Sequence, residues 1–374
     1  MKRIIISSNI LWTITQFRLG LIRDLISNNF EIICIADTDN FSSLSENKIA
    51  DVNAKFIKVP LSRKGINPFY DFFYFLKLCR ILKREKPDLV LNYTIKPIIY
   101  GSIASFLLGI PSFAITTGLG FVFIKDNLFA KFVKLLYQFS LKFPRKVFFL
   151  NRDDYELFIK HKVTSENKCI IIPGEGIDTD YYKPLPKQES STFKFLLIAR
   201  LLWDKGIGEY VEAIKILQDI PGIDKVEFLL LGFIDEGNPS GIKKVQIDEW
   251  HSKKLIKYLG EVEDARDIIR SVDCVVLPSY REGVPRTLLE AASMGKPIIA
   301  ADSAGCKDVV DDNINGFLCK TKDYKDLADK MRKMMKLPKE QLNELGNNGR
   351  NKVLKEFDQT MVTNIYLSEI SNIL

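Results

Sequence analysis

Short apolar runs alternate with stretches of helical spacing along nearly the whole chain. Runs of about four to eight apolar residues bounded by polar or breaker residues predict buried strands, and apolar positions recurring every third or fourth residue predict covering helices. In the first half the strand candidates are Arg3–Ser7, Glu31–Ala36, Lys55–Val59, Asp88–Tyr93, Ser112–Thr116 and Lys146–Leu150. Between them, Gln16–Asn28 and Pro97–Leu108 have helical spacing. The pattern breaks at Pro173-Gly174-Glu175-Gly176 and again from Lys183 to Ser191, where turn formers and polar residues predict a linker near 175–192. Strands resume at Phe193–Ala199, Glu227–Leu231, Cys274–Leu277 and Ile298–Ala301, and the tail beyond Pro338 is helical.

Strands alternating with helices predict parallel sheets covered on both faces, an α/β fold. Two such sets predict two Rossmann-like domains, residues 1–175 and 190–355, followed by a helix over 356–374. A length of 374 residues suits two domains of ordinary size, and no region is composed like a disordered tail.

Two segments mimic membrane signals. The start is basic and then apolar, but its run Ile4–Ile6 stops at Ser7, Ser8 and Asn9, which predicts a first strand rather than a signal peptide. Pro97–Ile124 has no charged residue and is long enough to span a bilayer. Pro111 and four glycines interrupt it, so a helix followed by a buried strand is the better expectation. The six cysteines are scattered without a redox or zinc spacing, and only His161 and His251 occur. A zinc site or a histidine-based triad is therefore not expected, and the chain reads as a cytoplasmic protein.

Charge is unevenly spread. Residues 1–150 carry 21 Lys and Arg against 10 Asp and Glu and hold 24 of the 41 aromatic residues, while the remainder is net acidic. That balance suggests an anionic surface or a phosphate-bearing substrate for the first half, with no nucleic-acid partner expected.

Ligands of open parallel sheets bind beyond the carboxyl ends of the strands. After Phe193–Ala199 come Arg200 and Lys205, two cations suited to a diphosphate whose charge grows as a leaving group departs. After Cys274–Leu277 come Glu282, Gly283, Val284 and Pro285, then a helix over Arg286–Met294 that carries Thr287 and Glu290. The amides of that first turn can meet phosphate or sugar oxygens, and the two carboxylates can accept from diols. A third loop holds Leu259 and Gly260, where a glycine lets the backbone approach a flat base. The bland alternatives are solvated cations paired with Asp204, an ordinary helix-start acid at Glu282 and a solvated Glu290.

Taken together these segments, with Gly295-Lys296-Pro297-Ile298-Ile299-Ala300, Gly305-Cys306-Lys307-Asp308-Val309-Val310 and Asn315-Gly316-Phe317-Leu318, resemble the family-4 retaining glycosyltransferases. In the first half, Asn92-Tyr93-Thr94-Ile95-Lys96-Pro97 and Thr116-Thr117-Gly118-Leu119-Gly120-Phe121-Val122-Phe123 are similar to a bacterial branch that builds O-antigen, capsule and related lipid-linked glycans. The resemblance implies a GT-B fold, with two Rossmann-like domains facing across a cleft and a last helix crossing back to the first. It implies transfer of a sugar, an N-acetylhexosamine, from UDP to a lipid-linked saccharide with retention of configuration. Arg200 and Lys205 would stabilise the diphosphate, Glu290 would hold the ribose, and Glu282 would touch the sugar or the reacting centre. Gly283 to Pro285 would face sugar and phosphate with their backbone, Arg286 and Thr287 would also belong to the donor site, and Leu259 and Gly260 would meet the base. Gly20, Lys96, Thr117 and Gly118 are the first-domain cleft candidates; many relatives carry a histidine near the point where Gly118 stands. No cofactor or metal is expected.

Asp37-Thr38-Asp39 and Asp178-Thr179-Asp180 fit the Asp-x-Asp pattern of metal-dependent transferases but are placed like turn formers. Leu128, Phe129, Phe132, Leu135, Leu136 and Phe139, among six cations in 125–146, form one apolar stripe. Phe69, Phe72, Phe73 and Leu76, near Lys77, Arg80, Lys83 and Arg84, form a second. Both read either as core-facing helices with basic outer ends or as seats on anionic lipid. A nucleotide-sugar epimerase or dehydrogenase, or a non-catalytic nucleotide-sugar-binding protein, can share the architecture. The first strand lacks the Gly-x-Gly-x-x-G that an NAD enzyme needs, and Glu282, Arg200 and Lys205 argue against a mere scaffold.

Overall fold

The computed structural model describes residues 1–38, 42–61, 67–118, 128–186 and 191–374, without the side chains of 128–132. The chain divides into two compact units, Met1–Gly176 with Gln359–Leu374, and Ile177–Asp358.

The first unit is built on seven parallel strands: β1 (Lys2–Ile10), β2 (Phe30–Asp37), β3 (Lys55–Lys58), β4 (Leu89–Tyr93), β5 (Ser112–Thr116), β6 (Lys146–Phe149) and β7 (Cys169–Ile171). Their order is β3-β2-β1-β4-β5-β6-β7, so the winding reverses between β1 and β4. The central strands are apolar without alternation because helices cover both faces of the sheet. The uncharged stretch Pro97–Ile124 contains β5, a fully buried central strand. Among the described residues no helix is long and apolar enough to cross a membrane.

The structure departs from the periodicity in three places. The helix expected over Gln16–Asn28 is two helices, Leu11–Phe17 and Leu19–Ser27, broken at Arg18. The Arg18 guanidinium is buried, 2.5 Å from Glu175 Oε1 and 4.1 Å from the centre of the Tyr93 ring. A charge withdrawn from water needs such partners, and this one lies at the break. Pro97–Leu108 begins as a π-helical turn, Pro97–Gly101, before the helix Ser102–Leu107. A Cβ on Gly101 would stand 2.1 Å from Asn92 Oδ1, so the wide turn fits closely over β4. Third, β7 and the strand Lys257–Tyr258 of the second unit, of three and two residues, are too short to show a period.

The last helix, Gln359–Ser371, belongs to the first unit. Tyr366 stacks on Phe148 with ring centres 4.9 Å apart, and Thr363 Oγ1 donates to Asp24 Oδ2 at 2.8 Å.

Six parallel strands form the second unit: β8 (Phe193–Ile198), β9 (Val226–Leu231), β10 (Lys257–Tyr258), β11 (Cys274–Leu277), β12 (Ile298–Ala301) and β13 (Gly316–Cys319). The order β10-β9-β8-β11-β12-β13 reverses between β8 and β11. Phe195, Leu197, Leu230 and Val276 pack with Tyr210, Ile214 and Met331, whereas Leu196, Leu229, Val275 and Ile298 pack with Leu288, Leu289 and Val353. Alternate residues of each strand thus enter separate apolar layers. The reversal point between the layers is where the sheet opens a crevice at its carboxyl edge.

Candidate active site

The loops leaving β8 and β11 meet at this reversal. Gly206 has a left-handed backbone (φ 73°), and a Cβ there would stand 2.1 Å from the carbonyl oxygen of Pro278. Only glycine permits that approach. The two loops are tied by Tyr280 N–H donating to Asp204 O at 2.9 Å. The Asp204 carboxylate accepts from Ser240 Oγ at 2.7 Å, so it supports its loop rather than pairing with the nearby cations.

Lys205 Nζ lies 2.5 Å from Glu282 Oε1, with both side chains about 15% exposed. Neither is the solvated charge of the bland reading. Arg200 is half exposed and stands 3.9 Å from Asp235, a loose pair that leaves its guanidinium open to the crevice edge. The loop after β12 supports the same place. Glu282 N–H donates to Ala304 O at 2.9 Å, and a Cβ on Gly305 would stand 2.3 Å from Gly283 O.

Pro285 has extended backbone and stands just before the helix Arg286–Ser293, whose first turn no side chain caps. Leu288 N–H turns back to Pro285 O at 3.1 Å. Val284 packs on the apolar layer beneath and so anchors the loop. One turn along, Glu290 Oε1 accepts from Arg286 Nε at 3.0 Å, and the Arg286 guanidinium lies 5.8 Å from the centre of the Tyr182 ring. Burial raises the Glu290 carboxyl above its ordinary pKa, while Arg286 and Tyr182 oppose the rise. Glu290 is therefore a held acceptor and not a solvated helix residue, and Arg286 is its clamp. Thr287 is half-buried beside them.

Leu259 N–H donates to Leu230 O at 2.9 Å, and Gly260 O accepts from Gly232 N–H at 2.8 Å. Gly260 (φ 77°) has open space where a side chain would stand, so its backbone is approachable.

Lys96 Nζ is 2.6 Å from Oδ1 of Asp71, a buried carboxylate of the helix Pro68–Glu85. Thr117 and Gly118 follow the end of β5, and the motif positions from Leu119 to Phe123 lie outside the described residues. Gly20 is accounted for by packing: the amide end of Gln359 occupies the position a Cβ would take.

Comparison with known proteins agrees with this layout. The family profile described as glycosyl transferases group 1 covers residues 183–352, and the glycosyl transferase 4-like profile covers residues 3–151. The chain is 30% identical over 372 residues to the N,N'-diacetylbacillosaminyl-diphospho-undecaprenol α-1,3-N-acetylgalactosaminyltransferase of Campylobacter jejuni, covering 95% of this chain and 94% of that one. It is 28% identical to the UDP-Gal:α-D-GlcNAc-diphosphoundecaprenol α-1,3-galactosyltransferase of Escherichia coli, covering 80% of this chain and 79% of that one. The chain belongs to the family-4 glycosyltransferases. Its fold matches that of Anabaena HepE in complex with UDP, with a TM-score of 0.79, 17% identity and all of both chains covered. A glycosyltransferase from Rickettsia africae gives a TM-score of 0.81 at 18% identity, covering 100% of this chain and 98% of that one. Family membership decides for sugar transfer over the epimerase and dehydrogenase readings.

Sequence reasoning missed two residues that build the transferase's site. Tyr182 sits in the breaker-rich segment that reads as linker, yet it is buried with its ring 5.8 Å from the Arg286 guanidinium that clamps Glu290. Arg350 donates to Ser293 O at 2.6 Å, Tyr182 O at 3.2 Å and Thr179 O at 3.3 Å, fixing that segment against the Glu290 helix. Nothing local distinguishes either residue; their partners are distant in the chain.

The aspartate pairs act as turn formers where they are described. Asp37 accepts from the amides of Thr38 and Leu61, and Asp178 from those of Asp180 and Tyr181. Asp39 lies outside the described residues. All six cysteines are free, and burial pushes the Cys34 and Cys319 thiols up to about 12, far from thiolate chemistry at neutral pH.

The apolar stripes correct a sequence expectation. In Pro68–Glu85 the core takes Tyr74, Leu78 and Leu82, while Phe69, Phe72, Phe73 and Leu76 are exposed. In Leu128–Ser140 the buried positions include Val133 and Tyr137, and Leu135 and Phe139 are exposed. The first stripe thus turns away from the core, whereas in the second Leu136 packs on the core and the side chains of Leu128, Phe129 and Phe132 lie outside the described residues.

Proposed function

We propose that this transferase moves an N-acetylhexosamine from a UDP-sugar to a saccharide carried on a lipid diphosphate, with retention and without a metal ion. The observation that carries the reading is the Lys205–Glu282 pair at the sheet reversal, one short loop from the Arg286-clamped Glu290. In this reading Glu290 accepts from the ribose hydroxyls. The backbone of Leu259 and Gly260 meets the base. The turn from Gly283 to Thr287 meets sugar and phosphate. The bond from the anomeric carbon to the diphosphate breaks as the acceptor oxygen bonds the same face of that carbon. The acceptor's proton passes to a departing phosphate oxygen, and Arg200 and Lys205 offset the charge that develops there. Glu282 keeps Lys205 at the crevice and faces the transferred sugar.

The Campylobacter and Escherichia relatives are named for acceptors on diphospho-undecaprenol, which supports a lipid-linked acceptor here. The exposed Phe69, Phe72 and Phe73, followed by Lys77, Arg80, Lys83 and Arg84, support a peripheral seat on the anionic inner face of the plasma membrane.

The test is a thermal-shift and transfer assay in the presence of EDTA. UDP and one UDP-N-acetylhexosamine should raise the melting temperature, and that donor should support transfer to a lipid-diphosphate saccharide with an α-linked product. Stabilisation by GDP compounds alone would replace the donor, and activity lost in EDTA would remove the metal-free mechanism.

A further inference from the structure

The second unit carries a cavity of about 490 Å³ that none of Lys205, Glu282 or Glu290 lines. It lies against the same two loops, because Trp203 and Tyr280 are in its wall. That volume is within the range of small-molecule sites, about 300–1,000 Å³.

Three features define what the cavity can hold. The first is a rigid aromatic platform. Trp203 is 42% exposed, yet its ring is fixed edge to face against Trp250, with centres 5.9 Å apart. Gly208 makes room for it, since a Cβ there would stand 3.2 Å from the ring. Tyr324, also in the wall, is 38% exposed. The second feature is an acceptor. Glu209 Oε1 accepts from the Tyr280 hydroxyl at 2.5 Å, while Oε2 is buried without a hydrogen-bond partner among the described residues. A carboxylate oxygen left in that state beside a cavity is costly unless water or a ligand hydroxyl donates to it. The third is charge balance at the rim, where Lys215 pairs with Glu212 at 2.7 Å and Lys253 with Glu249 at 2.6 Å. The rim lysines are thus already engaged and offer no unpaired cation for an anionic ligand.

We propose that this cavity, bounded by Trp203, Tyr324 and Glu209, binds a neutral saccharide on the far side of the two loops from Lys205, Glu282 and Glu290. A pyranose ring presents an apolar face to an indole and hydroxyl donors to a carboxylate, which is the combination found here. The inference stands on the cavity and not on the donor-site reading. Because Trp203 and Tyr280 each lie two residues before Lys205 and Glu282, an occupant touches both loops from outside the donor site.

Two of the protein's three tryptophans line the cavity, so intrinsic fluorescence reports on it. The full chain, saturated with UDP, is titrated with chitobiose, a neutral N-acetylhexosamine disaccharide. A saturable change in emission is expected. Trp203→Ala should abolish it, and the isosteric Glu209→Gln should weaken binding about tenfold by removing a charge-assisted acceptor. Trp203→Phe, which keeps a ring, should restore part of the affinity and show that Trp203→Ala did not merely unfold the loop. No saturable change through the millimolar range would overturn the proposal. So would a change indifferent to both Trp203→Ala and Glu209→Gln. A response to UDP alone that both substitutions remove would assign the cavity to a nucleotide instead. Transfer activity, measured separately, is untouched by a negative titration, so the two readings fail independently.

Discussion

Lys205 and Glu282 are each unremarkable residue types, and their meaning comes from a 2.5 Å separation across two loops. Replacing either with alanine leaves the other charge less compensated in a largely enclosed position. Lys205→Ala and Glu282→Ala should each lower kcat/KM for transfer by about a hundredfold or more, with circular dichroism unchanged. Near-normal turnover in either variant would sink the catalytic assignment. Gly206 makes a different demand. Its left-handed backbone and the nearby Pro278 carbonyl leave no place for a methyl group, so Gly206→Ala should cost about 2–3 kcal/mol in chemical denaturation. An unchanged denaturation midpoint would show that the two loops can part without penalty.

At the scale of elements, the helix Pro68–Glu85 is explained by its start and its two faces. Asn67 caps it by accepting from the amides of Phe69 and Tyr70, and Pro68 suits the first position. Tyr74, Leu78 and Leu82 supply the buried face. Phe69, Phe72, Phe73 and Leu76 gain less from folding in water than the buried face does, because much of their surface stays exposed. Phe72→Ser with Phe73→Ser should therefore leave the melting temperature nearly unchanged and reduce flotation with vesicles containing anionic lipid. Flotation equal to that of the unaltered protein would place the membrane contact elsewhere. Apolar spacing made the helix legible, but the sequence could not say which of two apolar stripes faces inward. Two overlapping stripes satisfy the same period, and only the sheet beneath selects one. The strands show the same limit. The central ones are legible from continuous apolar runs, whereas β7 and β10 span three and two residues and are recognised only by their partners.

For the whole molecule, stability against acid depends on carboxylates held by cations. Glu85 accepts from Lys55 Nζ at 2.9 Å and Arg84 Nε at 2.8 Å, and the Lys55 bond is the main cause of a lowered carboxyl pKa, against the opposing effect of burial. A depressed pKa means that the unfolded chain binds the proton first. The stabilisation is present above the ordinary carboxylate pKa of about 4.3 and is lost as pH falls through the folded value. Glu85→Gln should thus lower the melting temperature at pH 7 and narrow its difference from the unaltered protein as the pH approaches about 3. A pH-independent difference would remove the ionic account.

What the sequence by itself determined is the α/β class, the restart of the strand pattern after the breaker-rich segment, and the family. These rest on local periodicity and on contiguous motifs, which survive without knowledge of the partner. What only the tertiary structure decided is the pairing within the site. Lys205 meets Glu282 across 77 positions, Tyr182 reaches Arg286 from a segment that reads as linker, and Arg350 ties the carbonyls of Tyr182 and Ser293 to the last part of the second unit. The outward turn of Phe69, Phe72 and Phe73 and the cavity beside Trp203 belong to the same category. Parallel sheets bring loops together by strand order, and strand order follows from how helices pack over the sheet, a property of the assembled layers and not of any one stretch of chain.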